Sequence, residues 1–200
     1  MAFGGWNINV TVGKMPQKVA TAMGKLGESM LGADYEPIAY LGSQTVNGIN
    51  HAVLAQQVVI NGRDTKNIVV LLFNEKPNTM EVSLIGIDRI IESGDVMGGT
   101  VVDALTEIPA DAMSVWNEAF DGFVGCNATP FALVGTQVVN GVNYIFAAEL
   151  ATVAKNPEKK VVLVTINSHT KEVAFADILV TKHDISLGYA FTWLTNGATM

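Results

Sequence analysis

LGSQTVNGIN at residues 41–50 and VGTQVVNGVN at residues 134–143 are two copies of one pattern, offset by 93 positions (134 − 41). The offset extends past the motif. It aligns Pro16 with Pro109, Gly32 with Gly125, Ala55 with Ala148 and Asn74 with Asn167, and it keeps eight of the fourteen residues from Pro37 to Asn50. Repetition at this length means that one supersecondary unit is built twice. Near the end of each copy Thr79, Glu81 and Val82 match Thr170, Glu172 and Val173 at an offset of 91 (170 − 79), so the second copy has a hairpin two residues shorter. Loop trimming of this kind has a small entropic effect.

Each copy reads as a short strand, one helix and four antiparallel strands. Met15, Val19, Ala22, Met23, Leu26 and Met30 recur at three- and four-residue steps after Pro16, an apolar helical stripe behind a first-turn proline. Ile108, Ala112, Val115, Trp116, Ala119 and Phe123 repeat it after Pro109. The runs 38–44, 49–60, 67–74 and 80–91, and in the second copy 131–137, 142–153, 160–167 and 173–182, are rich in Val, Ile, Leu and aromatics and read as strands. Asn47-Gly48 and Asn140-Gly141 predict two-residue hairpin turns. The expected class is α+β, each unit laying one helix on a curled antiparallel sheet. The expected division is 1–94, 95–183 and a tail, 184–200.

Composition narrows the partners. A net charge of −7 and no basic cluster beyond Lys159-Lys160 argue against nucleic acid. Mean hydropathy is positive at +0.32, yet the longest apolar runs, such as Ile68–Phe73, are far below the roughly 18 residues of a membrane span. MAFGGWNINV has neither the basic start nor the apolar run of a secretory signal, and one cysteine permits no internal disulfide, so an intracellular or already processed chain is expected. Cys126 aligns with Ala33, which suggests a small filler near the helix end and not a nucleophile. His51, His169 and His183 do not fall at metal-ligand spacing. No GxSxG or phosphate-binding glycine loop occurs. These features point away from an enzyme, a metal site and a cofactor.

Four features in order then resemble a cystatin of the disulfide-free stefin type: Gly4-Gly5 near the start, a single helix, the QxVxG hairpin Gln44-Thr45-Val46-Asn47-Gly48, and a later hairpin with Phe73 four residues before Pro77. The resemblance covers the first copy. The second is similar through Gly98-Gly99 and Gln137-Val138-Val139-Asn140-Gly141, but its later hairpin, Asn167-Ser168-His169-Thr170, has no proline. What the resemblance implies is inhibition of a papain-like cysteine protease by a wedge of Phe3, Gly4, Gly5, Gln44, Thr45, Val46, Asn47, Gly48 and Pro77. Gly98, Gly99, Gln137, Val138, Val139, Asn140 and Gly141 form a second, weaker set. No peptide bond need be cleaved.

Two other readings stand beside it. Turn geometry alone selects Asn-Gly in a hairpin, although it does not select Gln44 or Gln137. A structural or assembly protein, for instance a particle component, would reuse the duplicated fold without inhibiting anything. The tail supports that class: Ile185, Leu187, Tyr189, Phe191 and Trp193 alternate with smaller residues, a strand with an aromatic face suited to its own sheets or to self-association. The inhibitor reading requires the glycine start and both hairpins exposed at one edge. The assembly reading requires them covered.

Overall fold

The computed structural model describes residues 5–60, 65–77, 79, 81–94 and 99–179. The first half runs β1 (Trp6–Val12), α1 (Gln17–Gly27), β2 (Ala33–Val46), β3 (Gly48–Val59), β4 (Thr65–Glu75) and β5 (Val82–Glu92). The second runs β6 (Thr100–Leu105), α2 (Ala110–Phe120), β7 (Cys126–Val139), β8 (Gly141–Thr152), β9 (Lys159–Asn167) and β10 (Val173–Asp177). Two five-stranded antiparallel sheets result, ordered β1-β2-β3-β4-β5 and β10-β9-β8-β7-β6. Among the described residues no helix is long and apolar enough to cross a membrane.

The expected α+β class, two cystatin-like helix-on-sheet units, is corrected by this architecture. Among the described residues the protein is mostly β, 59% strand against 13% helix, with two helices only. Its largest core belongs to neither half alone. Ile38, Leu41, Ala52, Leu54, Ile68 and Val70 from the first sheet are buried in one cluster with Val102, Ala132, Val134, Ile145, Ala147 and Leu163 from the second. The sheets therefore pack on each other, and each helix covers an outer face.

Strand periodicity explains the arrangement. Successive side chains point to opposite faces, and in Ile68–Phe73 every residue is buried. Ile68, Val70 and Leu72 enter the shared core. Val69, Leu71 and Phe73 face outward beneath Val19, Ala22, Met23 and Leu26 of α1. The second sheet repeats this, with Phe146, Val162, Val164 and Ile166 packed under Ala112, Val115 and Trp116 of α2. A strand apolar on both faces must be covered on both.

Bulges set the curvature. The β2–β3 register slips at Pro37/Ala39 and again at Tyr40/Gly42. The same slips recur at Pro130/Ala132 and Leu133/Gly135 in β7. Such an extra residue bends and twists the strand that carries it. At Gly42 a Cβ would strike the carbonyl of Asn7, so β1 lies close only because this residue has no side chain. Cys126 opens β7 opposite Thr152, six residues past the end of α2, and is half-buried.

Because the inner core is shared, both sheets should fail together. Leu54→Ala, at a fully buried inner position, is expected to cost about 2–5 kcal/mol and to leave a single thermal transition. Calorimetry showing two transitions, with only the first sheet's moved, would contradict the shared core.

Candidate functional site

The candidate site is the end of the first sheet where β1 begins and where both hairpins turn. Trp6 pairs with Gln44, which fixes the start of β1 beside the β2–β3 hairpin. Ile49 pairs with Glu75, which brings the β4–β5 turn to the other side of that hairpin. Gly5, Val46, Asn47 and Pro77 are exposed there, with Val46 at 45%. Of the predicted wedge, Gly5, Gln44, Thr45, Val46, Asn47, Gly48 and Pro77 thus gather along one sheet end, with Gln44 and Gly48 half-buried. Phe3 and Gly4 lie outside the described residues.

The hairpin differs in type from the expected two-residue turn. Thr45 pairs with Ile49 and Val46 with Gly48, so the loop centres on Asn47. Gly48 has φ +104°, whereas Lys171 is the one non-glycine with positive φ among the described residues. A type I′ two-residue turn needs positive φ at both central positions and a type II′ turn needs it at the first, here Asn47; a three-residue loop ending in one glycine needs neither. A Cβ on Gly48 would stand 2.5 Å from the Glu75 carbonyl. That glycine is demanded by the fold.

Beneath the loop lies a polar ladder. The Asn50 amide donates to Gln44 Oε1 at 3.0 Å. Asn74 Nδ2 donates to Asn50 Oδ1 at 2.8 Å and to the Asn47 carbonyl at 3.4 Å, tying β4 to the hairpin tip. Gln44, which turn chemistry left unexplained, is therefore the first rung of a brace that spans β2, β3 and β4. The second sheet builds the same brace from Gln137, Asn143 and Asn167, at 3.2 and 2.8 Å, with Asn167 reaching the Asn140 carbonyl at 3.3 Å.

A buried histidine underlies the first edge. His51 is 6% exposed. Its Nδ1 lies 3.2 Å from the Tyr40 hydroxyl and its Nε2 lies 3.3 Å from Glu75 Oε2. A neutral ring that donates from Nε2 and accepts at Nδ1 satisfies both contacts. Burial pushes the His51 pKa below its ordinary 6.5, against the opposing pull of Glu75. In the second sheet Tyr144 takes the matching place, and its hydroxyl donates to Asp111 of α2 at 3.2 Å. The β4–β5 turn is closed by Lys76 Nζ, 2.7 Å from Glu81 Oε2, which holds that carboxyl below its usual range.

The second predicted set assembles likewise. Thr100 pairs with Gln137, so Gly99 leads into the hairpin end. Val138 (69%) and Val139 (44%) are exposed beside Asn140 and Gly141. Gly98 lies outside the described residues. The third piece of this edge is the turn Ser168–Lys171, where Lys171 has φ 59° and no proline is present. The two edges are not neighbours. Gln56 and Lys66, at the far end of the first sheet from its loops, bond to Ala104 and Asp103 of β6. Glu92, also at that far end, lines one cleft with Thr100 and Gln137 at the loop end of the second sheet.

No protein-family model matches the chain, and no curated protein matches it.

Asn74→Ala removes the donor from both Asn50 Oδ1 and the Asn47 carbonyl. The expected cost is about 1–3 kcal/mol, with faster amide exchange at residues 46–49 as the specific sign. Unchanged exchange there would mean that the ladder does not order the tip.

His51 gives a pH prediction whose sign follows from its depressed pKa. Between the folded value and about 6.5 the unfolded chain binds more protons, so stability is full above that window and falls as pH drops through it. His51→Gln should flatten the decline in melting temperature between pH 7.5 and 5. An equal slope in both proteins would show that other groups govern it.

Proposed function

We propose that the loop edge of the first sheet blocks the active-site cleft of a papain-like cysteine protease, entering as a preformed wedge and presenting no bond for cleavage. The observation that carries this is the alignment of Gly5, the Val46–Gly48 loop and Pro77 along one exposed sheet end. The reading extends the stefin resemblance of the three loops and does not depend on two separate units.

Physical chemistry favours such an edge as a binder. The Gln44–Asn50–Asn74 ladder orders the central loop before docking, so less entropy is lost on association. Val46 presents a compact apolar side chain at the tip, and the backbone around Gly48 can approach a partner closely. Gly5 precedes β1 with nothing within 4 Å of where a Cβ would stand, so this position is open to a partner. An interface of standard size would bury about 1,600 Å² in total. The rest of this chain leaves these pieces uncovered, as a wedge requires.

The second edge carries Val138 and Val139 but lacks the proline turn, so it is a lesser binder in this proposal. A partner filling the first edge would not reach it.

The test is inhibition of papain by the whole chain, by Val46→Asp and by a chain lacking residues 1–5. Inhibition at micromolar concentration or below is expected. Val46→Asp should weaken it at least tenfold, about 1.4 kcal/mol, without lowering thermal stability. Absence of inhibition by the unaltered chain at micromolar levels would overturn the reading.

A further inference from the structure

We infer that copies of this chain associate head to tail, the α1 face of one copy docking by opposite charge on the α2 face of the next. This contact is independent of protease binding, because it uses the helix faces and not the sheet-end loops. The aromatic segment 185–193, expected to serve self-association, lies outside the described residues, and the helix faces offer a different route.

Duplication has kept the positions of charge and reversed their sign. The 93-residue offset places Lys14 on Glu107, Lys18 on Asp111 and Lys25 on Glu118. All six residues are exposed. Residues 13–30 hold three bases and one acid, Glu28, whereas residues 106–123 hold four acids, Asp121 being the fourth, and no base. The imbalance extends to the halves: residues 1–94 carry seven bases and eight acids, residues 95–200 five and eleven. Most of the net −7 therefore sits on the α2 side. The seven-residue step from 18 to 25, and from 111 to 118, sets the two charges of each helix about two turns apart on one side. A stripe of one sign results on each.

Helix stability does not choose these signs. A positive charge is unfavourable beside a helix N-terminus and a negative one beside a C-terminus, yet Lys18 stands in the first turn of α1 and Glu118 in the last turn of α2. Contacts within the chain use only part of the charge. Glu118 meets Lys171 at 2.8 Å, which offsets one of the four acids, and Asp111 accepts from the Tyr144 hydroxyl. Lys76, which lines a groove with Lys18 and Lys25, is matched by Glu81. The stripes keep opposite net signs after these are counted. The same offset also aligns Leu31, 95% exposed, with Val124, 87% exposed, the two most exposed large apolar residues among those described. Each lies four residues beyond its helix, so each face has an apolar side chain to bury.

The layer order decides how the faces meet. With α1 and α2 covering opposite outer sides of the two packed sheets, a chain's basic face does not reach its own acidic face. Two like faces repel. What remains is α1 of one copy on α2 of another, a heterologous contact that leaves one face free at each end and lets a stack grow or close into a ring.

Sedimentation equilibrium on the intact chain tests this. The average mass is expected to rise above that of one chain as concentration increases to about 0.5 mM in about 0.01 M salt, where the screening length is about 30 Å, and to return to one chain in about 1 M salt, where it is about 3 Å. A triple variant Lys14→Glu, Lys18→Glu, Lys25→Glu makes both faces acidic, and Glu107→Lys, Asp111→Lys, Glu118→Lys makes both basic. Each should weaken self-association at least ~10-fold, and an equal mixture of the two should associate again, which unfolded variants would not do. A single-chain mass at every concentration in low salt would overturn the proposal. Association of the unaltered chain that persists in about 1 M salt, or that neither triple variant weakens, would overturn it as well, since another surface would then hold the copies together. So would two folded triple variants that stay single when mixed.

Discussion

Everything in this molecule depends on burying both faces of each sheet. A five-stranded sheet with a helix on one side leaves its other side apolar, and here that side is lined by Ile38, Leu41, Ala52, Leu54, Ile68 and Val70. Exposed to water, such a surface would be a large contiguous apolar patch. The second sheet presents Val102, Ala132, Val134, Ile145, Ala147 and Leu163 to it. Duplication thus supplies its own partner: two copies of one layer, each incomplete, close a core that neither half contains. The result is four layers, helix, sheet, sheet, helix, with polar links such as Gln56 to the Ala104 amide at the seam.

That packing also fixes what each sheet end can do. Since the loop end of the second sheet lies beside the far end of the first, the two hairpin edges open in different directions. Each is braced from within by its own Gln–Asn–Asn ladder, so neither needs the other to stay ordered. The far end of the first sheet carries contacts to β6 of the second, and the loop edge of the first sheet is left exposed. The division of labour follows from strand direction alone.

Much of this was legible in the residues, and the part that was not has a physical reason. The helical stripe ending in Leu26, the strands and the repeat itself are local patterns, and local patterns survive in a linear chain. The inner core was signalled as well: Ile68–Phe73 has no polar face, which a sheet covered on one side would need. A continuous apolar run does not by itself say what lies on its second side. The turn type departs from the sequence expectation for a different cause. Asn47-Gly48 suits a two-residue loop by composition, but the position of Glu75 against Gly48 is set by a strand more than twenty residues away. Turn chemistry alone does not account for Gln44, because its partners Asn50 and Asn74 come together only when three strands pair.

The ladder changes what the QxVxG pattern means here. If Gln44 and Gly48 served contact with a partner, the Gln44 side chain and the Gly48 backbone would be expected at the surface of the tip. Instead Gln44 accepts a hydrogen bond within the sheet, and Gly48 is a glycine because the Glu75 carbonyl leaves no room for a Cβ. Of the five positions, Thr45, Val46 and Asn47 are the ones that stand clear, and Asn47 gives its carbonyl to Asn74. The motif is therefore mainly a device for rigidity that raises a small apolar tip on an ordered loop. The second sheet keeps the same device with different neighbours, Ser168 and His169 in place of Glu75 around Gly141. Preserved bracing with altered surroundings is what a duplicated edge would show if its rigidity served the fold in both halves and its recognition surface were tuned in each half alone.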